Sequence, residues 1–139
     1  MENSESCVFC RIVRGKIPAS MVYQDDLTLA FMDIGSVNPG HVLVASRAHV
    51  ENLYAVDDDL AAALMLTATR VARAAKTVLQ PQGLCLFQAN EAVGGQTVFH
   101  VHIHVLPRWE ADGMNLSWPA RNPPREALEQ VAARLRAQL

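Results

Sequence analysis

The feature that most constrains the fold is an alternating stretch between the double glycine Gly94–Gly95 and Pro107. His100, His102 and His104 recur there at every second position. A period of two is that of a β-strand, whose successive side chains point to opposite faces. The stretch therefore predicts an inner strand that carries three imidazoles in a row, about 6.7 Å apart, on one face. The apolar residues between them, predicted to face the core, are Phe99, Val101, Ile103 and Val105.

The distribution of histidine indicates a function for this row. The chain has five histidines, and the remaining two, His41 and His49, lie at either end of one apolar segment. A buried imidazole needs partners for its polar atoms, so three side by side are costly unless they have a task. We therefore expect the histidines to take part in chemistry rather than in packing alone.

Length and charge limit the class of protein. The 139 residues, half of them hydrophobic, fit one domain over residues 1–139. Twelve Lys and Arg against fourteen Asp and Glu offer no basic surface for nucleic acid or for a membrane. The N-terminus is polar and acidic, and no apolar run approaches membrane-spanning length. We expect a cytoplasmic protein that binds small molecules or other proteins.

Local signals predict an α+β domain with mostly antiparallel strands. An acidic turn at Asp25-Asp26 favours a hairpin, and Gly and Pro residues bound the other segments. The predicted strands are Met21–Gln24, Thr28–Asp33, His41–Ala45, Leu84–Ala89 and the histidine strand. The predicted helices are a short turn or helix from Cys7 to Gly15, a long helix from Asp57 to before Pro81, and a last helix at about Arg125–Ala137.

The long helix has a well-marked polarity. Asp57, Asp58 and Asp59 supply an N-cap and early acidic residues that suit the helix dipole, and basic residues follow towards the other end. Its apolar stripe is predicted to face the core or a second copy of the chain. The stripe consists of Leu60, Leu64, Thr67, Val71, Ala75 and Val78.

Two of the three cysteines suggest a metal site. Cys7 and Cys10 form a C-x-x-C pair, and together with His49 and His100 they make a possible tetrahedral Cys₂His₂ set for structural zinc. Such an ion would attach the N-terminal turn to the sheet and leave His102 free. A redox dithiol and a pair of buried thiols are the alternatives.

Three roles compete for the histidine row. Two imidazoles could bind a catalytic zinc, all three could bind an anion, or one could attack phosphorus as a neutral nucleophile. The third role needs a fixed tautomer and a second, proton-donating ring beside the leaving atom. Backbone N–H groups of the Asn90–Gly95 loop and the side chains of Gln96 and Thr97 would then contact the phosphate.

The run His100–Leu106 resembles the H-φ-H-φ-H-φ-φ signature (φ, apolar) of the histidine-triad (HIT) family of nucleotide hydrolases and transferases. Segments Cys7–Ala19, Ala30–Ile34 and Pro39–Val44 resemble the Hint branch and its bacterial relatives. The resemblance covers about residues 7–118, and about 124–138 form a C-terminal helical extension. It implies a HIT-like fold, an antiparallel five-stranded sheet covered by one long helix plus short N-terminal and C-terminal helices.

The resemblance also implies roles for individual residues. His102 matches the family nucleophile, His104 the residue beside the bridging atom of the leaving group, and His41 a supporting histidine. Asp33 matches the acid that holds the ribose hydroxyls. The apolar base pocket corresponds to Val8, Phe9, Ile12, Phe31, Ile34 and Leu43, and the phosphate contacts to Asn90, Gly95 and Thr97, with Gln96 beside them. Relatives form homodimers through the long helix and a strand, and several bacterial members hold zinc at the Cys7, Cys10, His49 and His100 positions.

These implications predict a hydrolase that cleaves purine nucleoside 5′-phosphoramidates or nucleotidyl conjugates through a nucleotidyl group on His102. Zinc is expected to be structural, and catalysis is expected to require no cofactor. Thr97 resembles the Fhit branch, which splits dinucleoside polyphosphates, so that activity is the first alternative. A nucleotide-binding or partner-binding module with incidental turnover is the second. The sequence leaves open the leaving group, the choice of adenine or guanine, and the roles of Trp109, Trp118 and the C-terminal helix.

Overall fold

A computed structural model describes residues 4–139, so the first three residues of the predicted domain lie outside the described part. The described chain forms five strands, three α-helices and one 3₁₀ turn at Leu53–Ala55. In chain order the elements are α1 (Val8–Val13), β1 (Met21–Gln24), β2 (Thr28–Met32), β3 (Val42–Ser46), α2 (Asp58–Leu79), β4 (Gly83–Phe87), β5 (His102–Arg108) and α3 (Arg125–Arg136).

The five strands form one antiparallel sheet in the order β1-β2-β3-β5-β4. Helix α2 follows β3, and the chain then returns through β4 at the edge of the sheet before β5 enters beside β3. The histidine strand is therefore an inner strand with a partner on each side. This arrangement confirms the predicted α+β fold class and its five-stranded antiparallel sheet.

The two faces of the sheet carry different layers. One face packs against α2, and the other packs against α1. The register pairs Ala45 with His102 and Leu43 with His104, so the imidazoles share the α1 face. The α2 face is formed by Ala30, Val42, Val44, Val101, Ile103 and Val105. The α1 face is formed by Cys7, Phe9, Cys10, Leu29, Phe31, Leu43 and Ala45.

Helix α2 follows its predicted polarity but not the whole of its predicted stripe. The Asp57 carboxylate accepts the N–H of Leu60 at 2.8 Å and caps the first turn. Val78, predicted to be in the stripe, is 76% exposed. Leu79 takes its place in the last turn and packs against Gly40, where an added Cβ would lie 2.3 Å from its Cδ1. The buried positions are Leu60, Leu64, Thr67, Ala68, Val71 and Ala75.

The histidine strand is shorter at its start than the alternation predicts. Val98–His100 form a bend. The hydrogen-bonded strand begins at His102 and continues past Pro107. The reason is that the N–H of Val101 donates to Val50 outside the sheet, at 2.7 Å. These three apolar residues nevertheless face the core as predicted, because Val101, Ile103 and Val105 are buried on the α2 face.

Helix α3 buries none of its residues, and its apolar positions Leu128, Val131 and Leu135 are all exposed. Among residues 4–139, no helix combines the length and apolar character needed to cross a bilayer.

We expect the α2 layer to carry much of the stability. Leu64 is 3% exposed in the core, whereas Leu135 on α3 is 61% exposed. Leu64→Ala should lower the free energy of unfolding by about 2–5 kcal/mol, because it removes buried methyl groups and leaves a cavity. Leu135→Ala, the matched control, should cost about 0.5 kcal/mol or less. Chemical denaturation of both variants measures the difference, and equal costs would contradict this account of the core.

Candidate active site

A cavity of about 270 Å³ opens on the α1 face of the sheet, between α1 and the histidine strand. It brings together residues that are far apart in the sequence, from α1, β2, β3 and β5. The sequence-predicted residues in its lining are Val8, Phe9, Ile12, Phe31, Asp33, Ile34, Leu43, Thr97, His102 and His104. Asn90, Gly95 and Gln96 are not in the lining. Residues that the sequence analysis did not assign are Ile17, Pro18, Ala19, Met32 and Val98.

His102 is held in one tautomer. Its Nδ1 lies 2.6 Å from the carbonyl oxygen of His100, so Nδ1 carries the proton and donates it. The Nε2 lone pair of the neutral ring is then free in a residue that lines the cavity. Phe9 packs edge-on against the ring at 5.1 Å. These contacts fix both the proton and the plane of the imidazole.

A hydrogen bond between His104 and His41 fixes the tautomers of both rings. The N–H of Val37 donates to His41 Nδ1 at 3.2 Å, so the proton of the neutral His41 ring is on Nε2. That Nε2 lies 2.9 Å from His104 Nδ1, which accepts the proton. His104 consequently carries its own proton on Nε2. Sequence reasoning assigned the two histidines but missed Val37, whose contribution is a backbone group.

Asp33 lies directly after β2, beside the two rings. The N–H of Gly35 donates to its Oδ1 at 2.8 Å, and its Oδ2 lies 3.4 Å from His41 Nε2 and 3.9 Å from His104 Nδ1. The side chain is 20% exposed at the edge of the cavity. A carboxylate in this position can accept hydroxyl groups from a bound molecule.

Distances alone would allow Asp33, His41 and His104 to hold a metal ion. A ligating histidine, however, donates its other N–H to an acceptor. The Nδ1 of His41 faces the N–H donor of Val37 instead. The cluster is therefore built as a chain of hydrogen bonds and not as a metal centre.

Burial keeps the rings of the site neutral. It lowers the pKa of His102, and it lowers the pKa of His41 despite the nearby Asp33 carboxylate. Burial, together with the neighbouring His102 and His41, lowers the pKa of His104 to about 4. A neutral His102 can act as a nucleophile, and a neutral His104 can donate from Nε2.

A second cluster of possible metal ligands shares His100 with the histidine row. Cys7, Cys10, His49 and His100 place one ligand atom each within 4.8 Å of the others. Cys10 Sγ lies 3.3 Å from His49 Nδ1, and His100 Nδ1 lies 3.4 Å from Cys7 Sγ. The other nitrogen of His100 donates to the carbonyl of Ser46 at 2.7 Å. A metal-ligating histidine makes a hydrogen bond of this kind with its second ring N–H. Two thiols and two imidazoles in this arrangement suit a tetrahedral ion such as Zn²⁺.

The loop before the histidine strand uses three of its N–H groups for bonds of its own. The N–H groups of Gly94, Gly95 and Gln96 donate to carbonyls within the loop. The amide of Gln96 donates to the carbonyls of Glu51 at 2.6 Å and Val98 at 3.1 Å. Gln96, assigned to the phosphate from the sequence, is thus used to hold the loop.

Asn90 plays a similar part. Its Oδ1 accepts the N–H of Leu53 at 2.7 Å, and its Nδ2 donates to Gln88 at 2.6 Å. Asn90 and Gln96 together attach the loop to the 51–53 segment, two residues beyond His49. Of the predicted phosphate contacts, only the exposed Thr97 lies at the cavity.

A further network, missed by sequence reasoning, fixes the loop that carries Val37. Arg108 donates to Asp112 at 2.6 and 3.0 Å, and Asn38 donates both to Asp112 and to the carbonyl of Pro107. The partners lie up to 74 residues apart. The Asn38-Pro39-Gly40 turn was visible as a loop, but nothing in the local sequence pairs Asn38 with Asp112.

The HIT domain model matches residues 14–111 of the chain. Among curated proteins, "Protein hit" of Bacillus subtilis is 40% identical over 119 residues, which cover 85% of this chain and 82% of that protein. "Adenosine 5′-monophosphoramidase hnt1" of Schizosaccharomyces pombe is 32% identical, with 83% of this chain and 84% of that protein covered.

Solved structures agree over nearly the whole chain. The crystal structure of a HIT family protein from Bacillus anthracis is 34% identical with a TM-score of 0.93, and the match covers 99% of each chain. The crystal structure of a Zn-bound histidine triad family protein from Mycobacterium smegmatis is also 34% identical, with a TM-score of 0.76 over 99% of this chain and 100% of that one.

The role of Gln96 in holding the loop can be tested by substitution. Gln96→Ala leaves two carbonyls and the N–H of Glu91 without their side-chain partner. Because Gln96 is buried, the free energy of unfolding should fall by about 1–3 kcal/mol. Gln138→Ala, at an exposed position in the C-terminal turn, is the control and should have little effect. Denaturant titration measures both, and an unchanged Gln96→Ala midpoint would contradict the role.

Proposed function

The chain belongs to the HIT family of nucleotide-binding hydrolases, and we propose that it cleaves purine nucleoside 5′-phosphoramidates or related nucleotidyl conjugates at the α-phosphorus. The observation that carries this proposal is the tautomer of His102. Its Nδ1–H is tied to a carbonyl at 2.6 Å, so its Nε2 lone pair is free beside the cavity. A neutral, oriented imidazole of this kind is a nucleophile that needs no separate base.

In the first step, Nε2 of His102 attacks the α-phosphorus, and the bond from phosphorus to the leaving nitrogen breaks. The electron pair of that bond stays with the leaving amine, which takes up a proton. His104 donates a hydrogen bond to the leaving nitrogen, since its Nδ1 accepts from His41 and its Nε2–H remains for the substrate, and the proton that the amine takes up comes from solvent water. The product of this step is a nucleotidyl group on His102.

In the second step, water attacks the same phosphorus, and the bond to His102 Nε2 breaks. The nucleoside monophosphate leaves, and the proton of the attacking water passes to solvent, which balances the proton taken up by the amine in the first step. The ring of His102 recovers its lone pair because its Nδ1–H stays on the carbonyl of His100. His41 supports both steps by holding His104 in one tautomer.

The cavity supports the choice of a nucleotide. Its inner wall is apolar, with Phe9 and Phe31 packed edge to face at 5.2 Å, and such a wall suits a flat purine base. Asp33 lies at the edge of the cavity, where its carboxylate would accept the ribose hydroxyls. Thr97 would donate to the phosphate between Asp33 and His102. Asn90, Gly95 and Gln96 are proposed to shape the loop that presents Thr97.

We propose that Cys7, Cys10, His49 and His100 hold a structural zinc ion. The donor set and the bond from His100 to Ser46 support this assignment. The zinc-bound relative from Mycobacterium smegmatis adds to it. The ion would attach α1 to the sheet, and the hydrolysis proposed here needs no further cofactor.

We also propose a homodimer in a reducing compartment such as the cytoplasm. Strand β4 lies at the edge of the sheet and exposes Leu86 and Phe87, and α2 exposes Met65 and Leu66 on its outer side. An apolar edge strand beside an apolar helix face is suited to pairing with a second copy. Cys7, Cys10 and Cys85 form no disulfide with one another, which fits reducing conditions.

Thr97 supports one other activity, the hydrolysis of dinucleoside polyphosphates, because this residue resembles that branch of the family. A binding module whose turnover is incidental is a further candidate. Both alternatives share the cavity and the nucleotide, so the rate on each substrate class separates them.

The expected result is fast release of AMP from adenosine 5′-phosphoramidate and slower release from diadenosine tri- and tetraphosphate. His102→Ala should lose roughly 10³-fold or more in kcat, because no other free imidazole lone pair is oriented into the cavity. AMP should still bind this variant. The reverse order of rates would favour the polyphosphate activity, and tight AMP binding with negligible turnover of every substrate would favour the binding module.

We expect about one zinc ion per chain in the purified protein. Cys10→Ser removes a ligand and should lower the zinc content well below that value. Cys85→Ser, on β4 and outside the cluster, is the matched control and should retain the metal. Elemental analysis measures the zinc content of the wild-type protein and of both variants. Equal zinc content in the two variants would refute the assignment.

A further inference from the structure

His100 belongs to both clusters of the molecule at once. Its ring is fully buried among the ligand atoms, with Nδ1 at 3.4 Å from Cys7 Sγ and 3.5 Å from Cys10 Sγ. Its backbone carbonyl accepts the Nδ1–H of His102 at 2.6 Å. One residue therefore connects the proposed metal site with the group that fixes the nucleophile.

The backbone of His100 is not held by the sheet. Val98–His100 form a bend, and β5 begins only at His102. The nearest backbone bonds are made by Val101, whose N–H donates to Val50 at 2.7 Å and whose carbonyl accepts from Ser46 at 3.5 Å. The Val101 N–H belongs to the same planar peptide unit as the His100 carbonyl, so its bond to Val50 is one constraint on that carbonyl. Whatever holds the His100 ring is the other constraint.

The ring is held from two sides. Ser46 accepts its Nε2–H at 2.7 Å, and the thiols face its Nδ1. The edge-on ring of His49 lies 5.2 Å away. Because Nε2 carries the proton, Nδ1 is bare and accepts a thiol S–H. Such a hydrogen bond is weak, whereas bonds to a shared ion would fix Nδ1 firmly. Occupation of the cluster thus decides how firmly the ring contributes to placing the carbonyl.

We infer that His100 is a positioning residue through which the metal site sets the orientation of His102, so that the ion controls turnover and not stability alone. The inference rests on the proposed hydrolase function. It differs from the structural role of zinc because it predicts a loss of kcat in a protein that remains folded.

The alternative is that metal binding acts on the active site through α1. This helix has only six residues and no side-chain cap, so it depends on its anchoring, and it carries Val8, Phe9 and Ile12 of the cavity wall. If the metal acted only through α1, its removal would weaken nucleotide binding and the packing of Phe9 on the His102 ring, which raises KM, but it would leave the His102 tautomer unchanged. A path through His100 lowers kcat, because it disturbs the nucleophile after the nucleotide has bound.

The test compares metal-loaded, chelator-treated and remetallated protein under reducing conditions. Circular dichroism checks the fold, and ¹⁵N shifts of the His102 ring report its tautomer. We expect one tautomer, with Nδ1 protonated, in the loaded protein, and mixed tautomers without metal. We expect kcat to fall roughly 10- to 100-fold on removal and to return with zinc. Cys85→Ser should behave as the wild-type protein throughout.

A second variant covers the case in which metal removal unfolds the chain. His49 is only partly buried and contacts Cys10 and the His100 ring. In His49→Ala, metal binding should weaken, and kcat and the ¹⁵N pattern should follow metal occupancy as zinc is added. An unchanged tautomer and kcat at low occupancy, or a change in KM alone, would overturn the inference. The ¹⁵N readout needs no substrate, so it remains decisive even if none of the conjugates is hydrolysed.

Discussion

The hydrogen bond from His102 Nδ1 to the His100 carbonyl is the interaction on which the rest of the site depends. At 2.6 Å it decides where the single proton of a neutral imidazole lies, and hence which nitrogen is free to react. Because the ring is buried, its pKa is lowered and the neutral form is retained. In the hydrolysis proposed here, the other features of the cavity present a substrate to that one lone pair or assist the group that leaves.

Hydrogen bonds to backbone groups also fix other imidazoles of the two clusters. Three imidazoles have one nitrogen assigned by a backbone group: His100 by the Ser46 carbonyl, His102 by the His100 carbonyl, and His41 by the Val37 N–H. His104 has no such backbone partner of its own among these contacts and takes its tautomer from His41. Four rings close together would otherwise exchange protons among several arrangements. The backbone selects one arrangement, which is why the row can serve as nucleophile, donor and ligand at the same time.

The sheet separates stability from chemistry by its two faces. The α2 face is a continuous apolar layer, whereas the α1 face combines apolar residues with imidazoles, thiols and a carboxylate. Alternation along β5 links the two, since Val101, Ile103 and Val105 anchor the strand that presents His102 and His104. The sequence analysis found this division from period alone. Val78, the last position of the predicted α2 stripe, lies outside the core, where Leu79 packs against Gly40 at the end of the helix.

By itself, the sequence determined the strands and the sharing of one face by the histidines, because these follow from local period and residue type. It also pointed to a possible Cys₂His₂ set, and to Asp33, Thr97 and the apolar wall through the resemblance to a family. Only the tertiary structure decided the tautomers, the bend before His102 and the attachment of the loop by Gln96 and Asn90. The backbone groups involved lie two and four residues away for His102 and His41, but 54 residues away for His100 and 37 for Asn90. A backbone N–H or carbonyl is present at nearly every position, so no residue type marks the one that folding will bring to an imidazole.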